Sequence, residues 1–178
     1  MYDSIETVLL DKNTIAKRVE EIGEQITKDY EGESVVVVGI LKGSAPFMTD
    51  LIRQIDLPMD IDFMVVSSYE NDKSSGIVKI IKDININAEG KNIIIVEDIV
   101  DTGLTMSHLL EIFNIRKCKS VKICSLLSKK DRRECEVNID YLGFDVPNEF
   151  VVGYGLDYNG KYRNLPEIGV LKPSKYQN

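Results

Sequence analysis

Residues Ile93 to Thr105 read Ile-Ile-Ile-Val-Glu-Asp-Ile-Val-Asp-Thr-Gly-Leu-Thr. The β-branched run at its start suits a strand buried on both faces, the kind found in the middle of a parallel sheet with helices on either side. Ligands of open α/β sheets bind at the carboxyl ends of strands, and here that end carries Glu97, Asp98 and Asp101. The Thr102-Gly103-Leu104-Thr105 turn then leads into a helical pattern, so free backbone N–H groups and hydroxyls lie together as a phosphate cradle. Carboxylates crowded at a buried strand end repel one another unless a hard cation or a polyol sits among them. Cradle and acids together fit a phosphorylated sugar. A solvated acidic end with Thr102 or Thr105 as an ordinary helix cap is the blander alternative.

The rest of the chain supplies partners for such a strand. Residues 1–10 suit a short strand or arm, and Ile15, Val19, Ile22 and Ile26 recur at helical spacing between Asn13 and Lys28. Val35 to Val38 form a second buried strand ahead of the Gly39-Ile40-Leu41-Lys42-Gly43-Ser44 turn. Ser44 opens a helix with Pro46 in its first turn, where a missing N–H does no harm, and Met48, Leu51, Ile52 and Ile55 form its apolar face. Ile61 to Ser67 and Ile77 to Ile81 read as strands around a long polar loop. Met106, Leu109, Leu110 and Phe113 mark a helix after the central turn, and Val121 to Leu127 a further strand that ends at Lys129. Tyr141 to Pro147 reads as a turn-rich connection, Phe150 starts another strand, and Lys172 to Asn178 read as a surface tail.

The segment Glu97-Asp98-Ile99-Val100-Asp101-Thr102-Gly103-Leu104-Thr105 closely resembles the phosphoribosyl-pyrophosphate signature of the type I phosphoribosyltransferases, in the form of the hypoxanthine (6-oxopurine) branch. With three further motifs the resemblance covers about Val35 to Leu171. It implies an α/β fold with a central, mainly parallel twisted sheet flanked by helices on both faces, a small hood, and a flexible hairpin lid over about 68–76. It also implies transfer of a 5-phosphoribosyl group to N9 of hypoxanthine, and of guanine, with Mg2+ as cofactor. Glu97, Asp98, Asp101, Thr102, Gly103, Leu104 and Thr105 then bind ribose and 5-phosphate, with Asp101 as proton-transfer residue. Leu41, Lys42 and Gly43, with a cis Leu41–Lys42 peptide, bind pyrophosphate together with Arg163. Ser68 and Tyr69 match the catalytic pair of the lid, which excludes water from a sugar cation. Lys129 matches the lysine that donates to the purine 6-oxo group, which an ammonium selects over an amino group. Phe150 matches the ring stacked on the base, Val151 the carbonyl near the purine 2-position, and Asp157 a metal-associated acid beside the base, so the implied metal set is Glu97, Asp98 and Asp157. Some relatives carry lysine in place of Leu104, so one charge of the phosphate site is missing here.

Composition narrows the alternatives. A chain of 178 residues with 43% hydrophobic content has material for one phosphoribosyltransferase domain over 1–178. A net charge of −7 argues against nucleic acid and anionic membranes as partners, leaving small-molecule substrates. An RNA-binding regulatory relative needs a basic face with interleaved aromatics, which the acidic total opposes. A transferase for another base, such as xanthine or adenine, is the nearer competitor. Cys118, Cys124 and Cys135 have no C-x-x-C spacing, which fits a reducing cytoplasm, and His108 has no partner at ligand spacing. The family commonly forms homodimers or homotetramers.

Overall fold

The computed structural model describes residues 1–68 and 78–176. After a short 3-10 turn, strand β1 (Ile5–Leu10) leads into helix α1 (Lys12–Asp29). Asp11 caps that helix, its carboxylate accepting from Asn13 N at 2.8 Å and Thr14 N at 3.0 Å. Strand β2 (Val35–Leu41), helix α2 (Ala45–Leu51), β3 (Met59–Ser68) and β4 (Val78–Lys82) follow, and then the central β5 (Asn92–Val100) and helix α3 (Leu104–Ile115). The chain closes with β6 (Ser120–Ser128), β7 (Tyr141–Asp145), β8 (Val151–Val152) and β9 (Ile168–Leu171).

Six strands form the main sheet in the order β4-β3-β2-β5-β6-β7, with only β4 antiparallel to its neighbour. The uninterrupted apolar runs of β2 and β5 are explained by cores on both faces. Val35, Val37, Ile94 and Val96 face one core with Ile15, Val19, Ile22 and Ile26 of α1 and Phe47, Met48 and Leu51 of α2. Val36, Val38, Ile93 and Ile95 face the other with Met106, Leu109 and Phe113 of α3. The hood is a separate antiparallel sheet, β1-β9-β8, which joins the two ends of the chain.

Three expectations change. Tyr141 to Asp145 is a strand, not a connection: Cys124 pairs with Tyr141 and Ser128 with Asp145, so the edge of β6 recruits a segment whose Gly143 masks its pattern. Helix α2 stops at Leu51, although Ile55 is still buried at 7% exposure, so an irregular turn covers the face that a longer helix was expected to cover. The described part of the expected surface tail is largely exposed but not irregular: Pro173–Lys175 form a 3-10 turn, and Lys172 N donates to Ser4 O. The expected lid at about 68–76 lies, apart from the backbone of Ser68, outside the described residues, as does Tyr69.

Candidate active site

Gly39 of β2 is in register with Val96 of β5, so the loops that follow these strands leave the same edge of the sheet side by side. Between them lies a cavity of about 480 Å³ that brings together Leu41, Gly43, Glu97, Asp98, Asp101, Thr102, Gly103, Thr105, Asp157 and Arg163. The Leu41–Lys42 peptide is cis, as the resemblance implies. A Cβ on Gly43 would stand 1.7 Å from Asp98 Oδ2, so a side chain there would push the Asp98 carboxylate out of its place in the cavity. Lys42 is exposed and does not line the cavity.

The acids are not equivalent. Glu97 Oε1 accepts from Asp98 N at 3.2 Å, and burial beside the Asp98 carboxylate holds the Glu97 carboxyl well above the usual glutamate range. Asp157 is engaged differently: its carboxylate pairs with Arg163 and accepts from Gly160 N at 2.7 Å. Among the described residues no three His, Cys, Asp or Glu side chains close on one point as a metal cage. Glu97, Asp98 and Asp157 therefore do not converge as a ligand triad, because the guanidinium of Arg163 already engages Asp157. Arg163 also donates to Gly155 O at 2.6 Å, and a Cβ on Gly155 would stand 1.9 Å from Gly43 O. The acidic turn and the Leu41-to-Gly43 loop are thus in backbone contact.

Gly103 is the N-cap of α3 at φ +89°, a left-handed conformation that favours glycine. Thr102 O accepts from Glu134 N at 2.9 Å and Cys135 N at 3.3 Å, which ties the turn to the segment after β6. The leading N–H groups of α3 have no intrahelical acceptor and carry the positive end of the helix dipole, with Leu104 N donating to Thr102 Oγ1 at 3.4 Å. Leu104 is the first helical residue and does not line the cavity, so only its backbone is on offer.

A second cavity, of about 310 Å³, is lined by Lys129, Arg132, Phe150 and Tyr176 among others. Lys129 is 8% exposed and donates to Glu149 O at 2.7 Å. Burial, helped by Arg132 and opposed by Asp101, lowers its pKa. Lys129 N donates to Val100 O at 3.0 Å, which sets the lysine beside Asp101, the residue that follows β5. Asp101 Oδ1 is 3.3 Å from Arg132 Nε without hydrogen-bond alignment, and that buried oxygen has no donor among the described residues. Phe150 is half-buried against the cavity, whereas Val151 is a core residue at 6% exposure, so only its backbone is available to a ligand.

The sequence missed Arg132 and Tyr176. Arg132 belongs to a basic run that reads as a solvated face, and its ion pair with Asp101 depends on strand adjacency. No signal marks Tyr176.

A profile of the phosphoribosyl transferase domain matches residues 7–159. The hypoxanthine-guanine phosphoribosyltransferase of Bacillus subtilis is 51% identical, with 100% of this chain and 99% of that protein covered. The bifunctional protein TilS/HprT of Listeria monocytogenes is also 51% identical over 99% of this chain, which spans only 27% of that longer protein. A crystal structure of a hypoxanthine phosphoribosyltransferase from Staphylococcus aureus superposes with a TM-score of 0.97 at 49% identity, covering 100% of this chain and 97% of that one. Its fold, the acid-and-amide edge of its sheet and these matches over nearly its whole length agree that the chain belongs to the phosphoribosyl transferase domain family.

Proposed function

We propose that the chain transfers the 5-phosphoribosyl group of 5-phosphoribosyl 1-pyrophosphate to N9 of hypoxanthine and guanine, releasing pyrophosphate, with residues 1–178 acting as one domain. The observation that carries this reading is Asp101, whose buried Oδ1 is ion-paired with Arg132 but accepts no hydrogen bond among the described residues, and which follows Val100, the acceptor of Lys129 N, at the end of the acid-lined cavity. A purine held by Lys129 and a sugar held by the β5 turn would meet at that carboxylate. Relatives at 51% and 49% identity, a hypoxanthine-guanine and a hypoxanthine phosphoribosyltransferase, support the same reaction.

In this reading the turn from Asp101 to Thr105 grips the 5-phosphate through backbone N–H groups and the hydroxyls of Thr102 and Thr105. Glu97 and Asp98 hold the ribose hydroxyls, and Leu41 to Gly43 with Arg163 hold pyrophosphate. As the anomeric C–O bond stretches, positive charge grows on the ribose, and the adjacent carboxylates stabilise it more than they stabilise the ground state. Asp101 takes or shares the proton at purine N7. Lys129 donates to the 6-oxo oxygen, Phe150 provides the stacking face and the backbone at Val151 faces the 2-position. Ser68 and Tyr69 are assigned to closure of the site on sequence grounds.

Magnesium fits these residues in an open rather than a caged form. The donors are all oxygens, and a cation would offset both the burial and the neighbouring Asp98 charge that raise the Glu97 carboxyl. Glu97 and Asp98, with Asp157 on the far side, would hold it directly or through water, and when bound it would neutralise charge on the departing pyrophosphate. A cytoplasmic homodimer or homotetramer completes the proposal. No helix of the described residues is long and apolar enough to cross a membrane.

Steady-state rates with hypoxanthine, guanine, xanthine and adenine, with and without magnesium, test the reading. Turnover of the first two that collapses without magnesium is expected. Preference for adenine, or rates indifferent to the metal, would overturn it.

A further inference from the structure

The end of the chain is fastened to its beginning. Lys172 N donates to Ser4 O at 3.0 Å, and Lys172 Nζ to Asp3 O at 2.7 Å. Pro173 opens the 3-10 turn at a position where its missing N–H is harmless, and Tyr176 N closes it on Pro173 O at 3.1 Å. The Tyr176 ring then lies on Phe150, with centroids 4.9 Å apart and planes 25° apart. Tyr158 meets the same Phe150 ring edge-on at 5.5 Å and 89°.

We propose that Tyr176 is a positioning residue for the purine: by stacking on Phe150 it fixes the plane of the ring on which the base lies, an inference that rests on Phe150 being the base platform. A half-buried phenylalanine at the head of a two-residue strand is otherwise free to change rotamer, and any ligand that stacks on it must first order it. Parallel and edge contacts from two directions remove that freedom before the base arrives. A cavity of about 310 Å³ remains beside the stacked pair, lined by Lys129, Phe150 and Tyr176 among others. Base recognition thereby depends on the chain terminus, while the sugar and pyrophosphate contacts do not.

The test uses the full chain and the variants Tyr176→Ala, Tyr176→Phe and Phe150→Ala, with each substrate varied at saturating levels of the other. Tyr176→Ala is expected to raise the KM for hypoxanthine about three- to tenfold, the range of an aromatic pair, and to leave the KM for the phosphoribosyl donor unchanged. Tyr176→Phe keeps the ring and should behave as the parent. An unchanged hypoxanthine KM in Tyr176→Ala would overturn the proposal. A lowered value would also overturn it, because the ring would then be obstructing the site, and so would an equal rise in both constants. If Phe150→Ala raises the hypoxanthine KM and Tyr176→Ala does not, only the role of Tyr176 fails. If Phe150→Ala has no effect, the platform reading itself fails and this inference with it.

Discussion

The cavity at the end of β5 takes most of its polar groups from one run, Glu97 to Thr105, whereas the cavity beside it draws Lys129 from the end of β6, Phe150 from the head of β8 and Tyr176 from the chain terminus. In the first, local sequence sets geometry directly. Strand, acid pair, left-handed glycine and helix N-terminus succeed one another, and each dictates the next. In the second, distant segments meet only because the hood closes over the sheet edge. A compact run suits chemistry that must stabilise a growing charge, where small displacements are expensive. An assembled pocket can vary one contributor at a time and so suits discrimination among bases.

Separating the two regions experimentally should produce effects of different kind and size. Asp101→Asn, at the junction, is expected to lower kcat by about 10²- to 10⁴-fold, the usual range for a lost acid–base group, while nucleotide binding persists. Undiminished turnover would remove Asp101 from the chemistry and break the division at its centre. Lys129→Gln is expected to raise the KM for hypoxanthine about 10- to 100-fold, as for a lost charged hydrogen bond, with little change in the donor KM. A matching rise in the donor KM would show that the cavities do not act separately.

Glu97→Gln should give the smallest effect, read as stability. A carboxyl whose pKa is higher in the folded than in the unfolded state binds more protons when folded. Stability therefore falls as pH rises from the ordinary glutamate range through the raised value, and the penalty is complete above it. Glutamine removes that penalty, so the metal-free variant should melt higher than the parent at neutral pH, by about 2–4 °C per kcal/mol for a chain of this size. The gain should vanish below the ordinary glutamate range. Equal melting at both pH values would mean that the acid pair is not under repulsion.

Legibility in the sequence followed the same division. The two-faced burial of β2 and β5, the α1 and α3 faces, the turn at Gly103 and the acids before it could all be read from local pattern, because their causes lie within a few residues. The strand status of Tyr141 to Asp145 could not, since an edge strand beside β6 is imposed by its neighbour and Gly143 interrupts its alternation. The short β9 was invisible for the same reason, being defined by pairing to β1 and β8. Within the site, the engagement of Asp157 by Arg163 and of Asp101 by Arg132 depends on side chains from separate segments. The family resemblance placed Asp157 among the acids without revealing that its charge is already matched.

Pairing of the first strand with the last also has a consequence for how the molecule ages. Ile5 and Leu171 are register partners, and Ser4 and Asp3 hold Lys172. Cleavage just before or within β1 would leave β9 with a bare edge and release the anchor of the turn at Pro173. On the proposed reading, damage of that kind would blunt the choice of nucleobase first and leave uptake of the sugar donor intact.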